Sequence, residues 1–217
     1  MPQPPEPAPD RSQNREKRGE DVERRVLEAA LELAVRGGFD AVRQREVAER
    51  AGVALGTLYK RFRSKDELLI GVLEVESAKL ATRLSRERFP GKTPLERVTH
   101  YFEIATRYVV RKPRLGRAIL RAIVSGDKVS SRVMAYHAQQ LRHAVDALTG
   151  TVGAECGDER VSESDALVIG PILLQVWFSA LVGWSCELFD GSSVVAQVRE
   201  AARLLILGLE RSRAAAG

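Results

Sequence analysis

Between Gly37 and Glu67 the chain is punctuated three times by residues that stop, turn or start a helix. Gly37-Gly38 closes a run in which Val22, Val26, Ala29, Ala30, Leu33 and Ala34 recur at three- and four-residue spacing, the period of one helical face. Gly52 can take the left-handed conformation that turns a chain. Ser64-Lys65-Asp66-Glu67 is a capping box: the serine hydroxyl accepts the amide three residues on, and Glu67 reaches back. What remains between these signals is a short helix from about 43 to 51 and a second that follows Gly52. Two short helices behind a longer one make a helix-turn-helix bundle. Val47, Ala48, Val53, Leu58 and Phe62 are then expected to pack against Leu27, Ala30 and Phe39.

With Leu58 and Phe62 turned inward, four residues apart, Ala54, Leu55, Gly56, Thr57, Tyr59, Lys60 and Arg61 make up the outer side and leading end of the second helix. In a helix-turn-helix that binds DNA, this leading end enters the major groove. Small residues at 54 to 57 let the backbone approach base edges, and Thr57 suits a base or a phosphate. Tyr59 and Lys60 suit phosphate oxygens, which position a protein without reading sequence. Lys65 stands in the first turn of the next helix, where amides and dipole favour an anion. Arg43, Gln44 and Arg45 open the first short helix; an arginine there can grip the backbone or pair with guanine. From Gly52 to Lys65 there are four cations and no acid. Any single one of these cations could equally be a solvated surface charge; Thr57, Tyr59 and Lys65 carry the reading by sharing a face. The overall charge of +5 permits a polyanionic partner and does not demand one.

The stretch AALELAVRGGFDAVRQREVAERAGVALGTLYKRFRSKDELL, within about Arg24 to Leu73, resembles the N-terminal domain of TetR-family transcriptional regulators. The resemblance implies an all-helical homodimer, a palindromic double-stranded DNA operator, and repression relieved by a small molecule. On the family pattern Thr57, Tyr59, Lys60 and Lys65 fall on DNA-contacting positions. Arg43 departs from it, because family members commonly carry a capping hydroxyl there.

Downstream, Thr93-Pro94-Leu95-Glu96 repeats the capping device with proline at the first helical position, opening a helix through Val110 that stops before Lys112-Pro113. Further helices are expected at about 114–124, 128–148, 163–188 and 193–211, with a loop from Gly150 to Gly157. No run alternates well enough to be a strand. The expected fold is all-α: a disordered tail over 1–18, a helix-turn-helix DNA-binding domain over 19–66, and a ligand-binding and dimerisation domain over 67–217. The apolar region from Ala166 to Phe189 is broken by Gly170, Pro171, Gln175 and Gly183, which favours a buried helix over a membrane span. The Pro-rich start has no signal-peptide core, and Cys156 and Cys186 read as reduced thiols of a cytoplasmic protein. No catalytic pattern accompanies His100, His137 and His143. The expectation is no enzyme, no metal and no cofactor.

In the body, the last two helices are apolar around much of their circumference. Val194, Val198, Ala201, Leu204, Leu205, Leu207 and Leu209, opposite Leu174, Phe178, Leu181 and Val182, are expected to build a four-helix dimer interface. Phe102, Ala105, Ile119, Ile123, Met134, Leu141, Leu173 and Trp177 are the candidate lining of a pocket for a hydrophobic small molecule. The segments VWFSALVGW (176–184), TPLERV and RAIVSGD are similar to KstR-type regulators of sterol and lipid catabolism within the family. That similarity implies a steroid or fatty acyl-CoA effector, with arginines 107, 111, 114, 117 and 121 offered to a CoA phosphate. The alternatives are a sensor of xenobiotics controlling efflux or stress genes, and a helical interaction module that binds no DNA.

Overall fold

The computed structural model describes residues 11–84, 89–125, 131–151 and 159–216. These form nine helices and no strand: α1 (Arg11–Ala41), α2 (Gln44–Ala51), α3 (Leu55–Arg61), α4 (Lys65–Leu84), α5 (Pro94–Val110), α6 (Pro113–Ser125), α7 (Ser131–Thr149), α8 (Glu163–Ser185) and α9 (Gly191–Ala216). The expected tail over 1–18 is helical from Arg11 onward, and residues 1–10 lie outside the described residues. Most of the expected Gly150–Gly157 loop, with Cys156, lies outside them too.

Local chemistry accounts for the boundaries. Gly38, at φ 70°, breaks the helical geometry near the end of α1. Gly52 caps α2 in the left-handed region, at φ 63° and ψ 39°, and its amide reaches back to Ala48 and Glu49. The Arg25 guanidinium donates to the Ala51 carbonyl at the same helix end. Thr93 and Glu96 make both bonds of the capping box. Ser64 makes only its half: its hydroxyl accepts from the Glu67 amide, while the Glu67 carboxylate takes the Arg63 amide, one residue earlier than the box predicts. Pro171 sits inside α8 without ending it.

Two apolar cores form. The first packs α1 to α4, around Val26, Ala30, Val47, Leu58, Phe62 and Leu69. It also takes in Leu115, Ala118, Ile119 and Ala122 of α6, so the N-terminal core runs past the expected boundary at 66. The second fills the body, around Tyr101, Phe102, Leu148, Leu173, Trp177 and Val198. α8 has the length and apolarity of a membrane span, but half of that window is buried inside the protein.

The α8 and α9 residues divide differently from the expected interface. Val194, Val198, Leu174 and Leu181 are buried in the core of the chain itself. Leu204, Leu207 and Phe178 stand exposed, joined on α8 by Leu167, Val168 and Ile172. A helix that is apolar all round does not reveal which side the rest of the chain covers; the packing of α8 against α7 and α9 decides that.

Candidate DNA-binding face and ligand cavity

α3 is seven residues long and is held from below by Leu58, which is fully buried, with Phe62 capping its end. This anchoring leaves Ala54, Gly56, Thr57, Tyr59 and Lys60 on the outside. Arg43 and Arg45 are exposed as well, and Arg43 makes no capping bond. Two candidates are placed otherwise. Leu55 is half-buried against the bundle core. The Gln44 amide donates to the Phe62 carbonyl at 3.1 Å, tying the start of α2 to the end of α3. Arg61 pairs with Glu23 at 2.9 Å, so its charge is partly met within the protein. Glu23 also takes Arg132 of α7, which lies over the Phe62 ring.

Lys65 opens α4 with its ammonium 4.3 Å from the centroid of the Phe39 ring. The Arg121 guanidinium of α6 lies 4.0 Å from the same ring. Phe39 therefore links a cation on the candidate DNA face to a cation on a helix of the body. Arg121 also faces Asp40, Arg117 pairs with Glu187 over Trp184, and Arg114 donates to the Arg36 carbonyl. Of the arginines offered to a CoA phosphate, these three are engaged inside the protein.

Beside α6 lies a partly open cavity of about 300 Å³, lined by residues of α4, α5, α6, α7 and α8. Ala105, Ile119, Ile123 and Trp177 line it. Phe102 and Leu173 are fully buried in the body core, with Phe102 packed on Tyr101 and Trp177. Leu141 rests against Gly170, and Met134 points to solvent. Helical spacing says that a side chain faces inward. It does not say whether a neighbour or a void meets it there.

The lining is largely apolar but includes Glu76, Tyr108 and Lys112, none of them a sequence candidate. The Glu76 carboxylate accepts from Lys112 Nζ at 2.7 Å, from Lys79 Nζ at 2.8 Å and from the Tyr108 hydroxyl at 3.3 Å. Burial alone would raise the Glu76 carboxyl, yet the hydrogen bonds from Lys112 and Lys79 hold it below its usual range. Burial, and after it the charge of Glu76, pushes the Tyr108 phenol up to about 12. One signal was available in the sequence: Glu76 continues the stripe of Leu69, Leu73 and Leu80, a carboxylate where helical period calls for an apolar residue. Among the described residues no cluster of His, Cys, Asp and Glu could hold a metal.

An exposed recognition helix on a three-helix unit, backed by a cavity in an all-helical body, defines a DNA-binding regulator with a small-molecule site. Residues 26–72 match the model of bacterial regulatory proteins of the tetR family, and residues 91–205 match a tetracyclin repressor-like C-terminal domain. The chain belongs to the TetR family. It is 33% identical over 183 residues to the HTH-type transcriptional repressor KstR of Rhodococcus jostii RHA1, covering 84% of this chain and 82% of that one. Its identity to the Mycobacterium tuberculosis KstR is 32%, over 84% of this chain and 80% of the relative. Among solved structures, a TetR regulator from Rhodococcus sp. RHA1 superposes with a TM-score of 0.72 at 26% identity, covering 88% and 99% of the two chains. Thermus thermophilus FadR in complex with lauroyl-CoA has a TM-score of 0.59 at 19% identity, covering 85% and 93%.

Proposed function

We propose that this TetR-family chain is a cytoplasmic repressor that binds a palindromic operator as a homodimer and leaves it when a hydrophobic small molecule fills the cavity. The observation that carries the reading is the juxtaposition across α6. Thr57, Tyr59, Lys60 and Lys65 share the exposed face of the helix-turn-helix, while α6 contributes Ile119 both to that unit's core and to the cavity lining. A ligand that shifts α6 therefore acts on the core that supports the DNA-contacting helix. The exposed apolar side chains Leu167, Val168, Ile172, Phe178, Leu204 and Leu207 support pairing with a second copy through α8 and α9. The resemblance to KstR-type regulators of sterol and lipid catabolism supports a steroid or fatty acyl-CoA effector, and the superposable Thermus FadR is in complex with lauroyl-CoA. A cavity of about 300 Å³ can take the apolar body of such a molecule; the CoA group would lie outside it, near the exposed Arg107 and Arg111.

The test is operator binding measured as a function of salt. Tyr59→Phe combined with Lys65→Ala should weaken binding on all sequences and make the log–log salt slope shallower by about one, with the dimer intact. Unchanged affinity would overturn this orientation of the motif. Binding that ignores salt would favour an interaction module.

A further inference from the structure

Glu76 lies midway along α4 and is 4% exposed, yet it is charged. Its two oxygens are held from different directions. Oε1 takes Lys79, three residues on in the same helix, whose ammonium remains largely in solvent. Oε2 takes Lys112 and Tyr108, which stand at the corner where α5 gives way to α6. The Oε1 bond is internal to α4. The Oε2 bonds fasten α4 to the α5–α6 corner, and all three groups of that fastening line the cavity.

Two consequences follow from the chemistry of a buried carboxylate. First, the charge of Glu76 is already met by two ammonium groups, so the polar end of the cavity has no unmatched negative charge to attract a cation. An acceptor oxygen, by contrast, finds an ammonium and a phenolic O–H at the cavity wall, and the phenol stays protonated across the physiological range. Second, a carboxylate that loses two of its three donors while buried is left under-solvated, a costly state relieved by movement towards water, by new donors or by uptake of a proton. That carboxylate belongs to α4, whose first residue is Lys65 on the DNA face.

We propose that Glu76, Lys112 and Tyr108 are both the polar subsite of the effector and the latch that it opens: the effector is a neutral or anionic amphiphile whose acceptor oxygen takes Lys112 and Tyr108 from Glu76, freeing α4 from the α5–α6 corner. The inference rests on the cavity being the effector site, and it deepens that reading by specifying the head group and the bond that is exchanged. It also separates the steroid or fatty acyl class from a cationic-xenobiotic sensor, which an unpaired carboxylate would serve better.

The experiment uses the full-length protein and one apolar body with three heads: laurate, dodecanol and dodecyltrimethylammonium, then the same three heads on a steroid body. Binding is read by tryptophan fluorescence, since Trp177 lines the cavity. The carboxylate and alcohol should bind at least tenfold tighter than the quaternary ammonium, and Lys112→Met should erase that preference. Independently of any ligand, Glu76→Gln and Lys112→Met should each weaken operator binding about tenfold at a temperature where both remain folded dimers. A merely structural ion pair would lower the melting temperature and leave operator affinity unchanged. Should either variant fail to fold, Tyr108→Phe gives the same two readouts with a smaller change. Equal or tighter binding of the quaternary ammonium, or wild-type operator affinity in the folded variants, overturns the latch. Ala105→Trp, which fills the cavity from α5, distinguishes the two layers. If it leaves ligand binding intact, or if no amphiphile binds the wild type, the cavity reading fails and operator affinity alone judges the latch. If it abolishes binding while Lys112→Met leaves head-group preference unchanged, only the latch fails.

Discussion

The start and the middle of α4 handle charge in opposite ways. At its start Lys65 is half-exposed, rests on an aromatic ring and keeps its ammonium available to an outside partner. Eleven residues on, Glu76 is sealed from solvent and its charge is consumed by three donors of the protein itself. A cation left open is suited to phosphate, whose contacts strengthen or weaken with salt. An ion pair closed inside a low-dielectric wall is suited to switching, because removing one partner costs far more than the intact pair contributes. On the proposed reading the same helix carries a contact at its start and a condition at its middle.

Four substitutions bear on that contrast, beginning with the largest effect. Leu58→Ala removes the buried anchor of α3 and should cost about 2–5 kcal/mol in urea unfolding, although none of the candidate DNA-contacting side chains is changed. A loss under about 1 kcal/mol would mean that the recognition helix is not held from within. Gly116→Ala tests the corner that carries Lys112. A methyl there would sit 3.0 Å from the Val109 side chain and carbonyl and 3.2 Å from Trp184. Such overpacking should destabilise by about 1–3 kcal/mol, with the thermal midpoint as readout.

The third effect depends on pH. His143 has its Nε2 buried without a partner, and burial pushes its pKa below the ordinary 6.5, against an opposing pull from Asp146. The unfolded chain therefore binds this proton more readily than the folded one, and stability is lost as pH falls below about 6.5. In His143→Gln the fall in unfolding free energy between pH 7 and pH 5.5 should be shallower; an unchanged slope would show that the ring is not the source. The smallest effect is expected of Arg121→Ala, which removes one cation from the Phe39 ring. A contribution of about 0.5–1 kcal/mol at an exposed site should be read as a small drop in the thermal midpoint. No drop would mean that the ring contact does not tie α6 to the end of α1.

Much of the helical order was legible because helix ends are written locally. The Thr93 box, the Gly52 turn and the proline after Lys112 act within four residues of themselves, and the structure has helix boundaries at each. The second half of the Ser64 box shows the limit even there: Glu67 had two neighbouring amides in reach and took that of Arg63. The recognition face was legible in the same way, since burying Leu58 and Phe62 fixes what remains outside. What the sequence does not show of Gln44 is that its amide is already engaged, because the Phe62 carbonyl comes beside it only in the folded unit. The cavity was half legible. Ala105 and Trp177 line it while Phe102 and Leu173 fill the core nearby, yet all four have the same apolar, inward-facing signature.

By itself the sequence determined an all-helical chain, a helix-turn-helix near its start and a polar face on that unit. Each of these rests on hydrogen bonds and periodicities that reach no further than the next turn of helix. Only the tertiary structure decided that α6 belongs to both cores, which apolar side of α8 and α9 stays open, and that Glu76 meets partners 32 and 36 residues away. Those outcomes depend on which surfaces are brought together when the helices pack, and a side chain's pattern along one helix carries no record of what stands across from it.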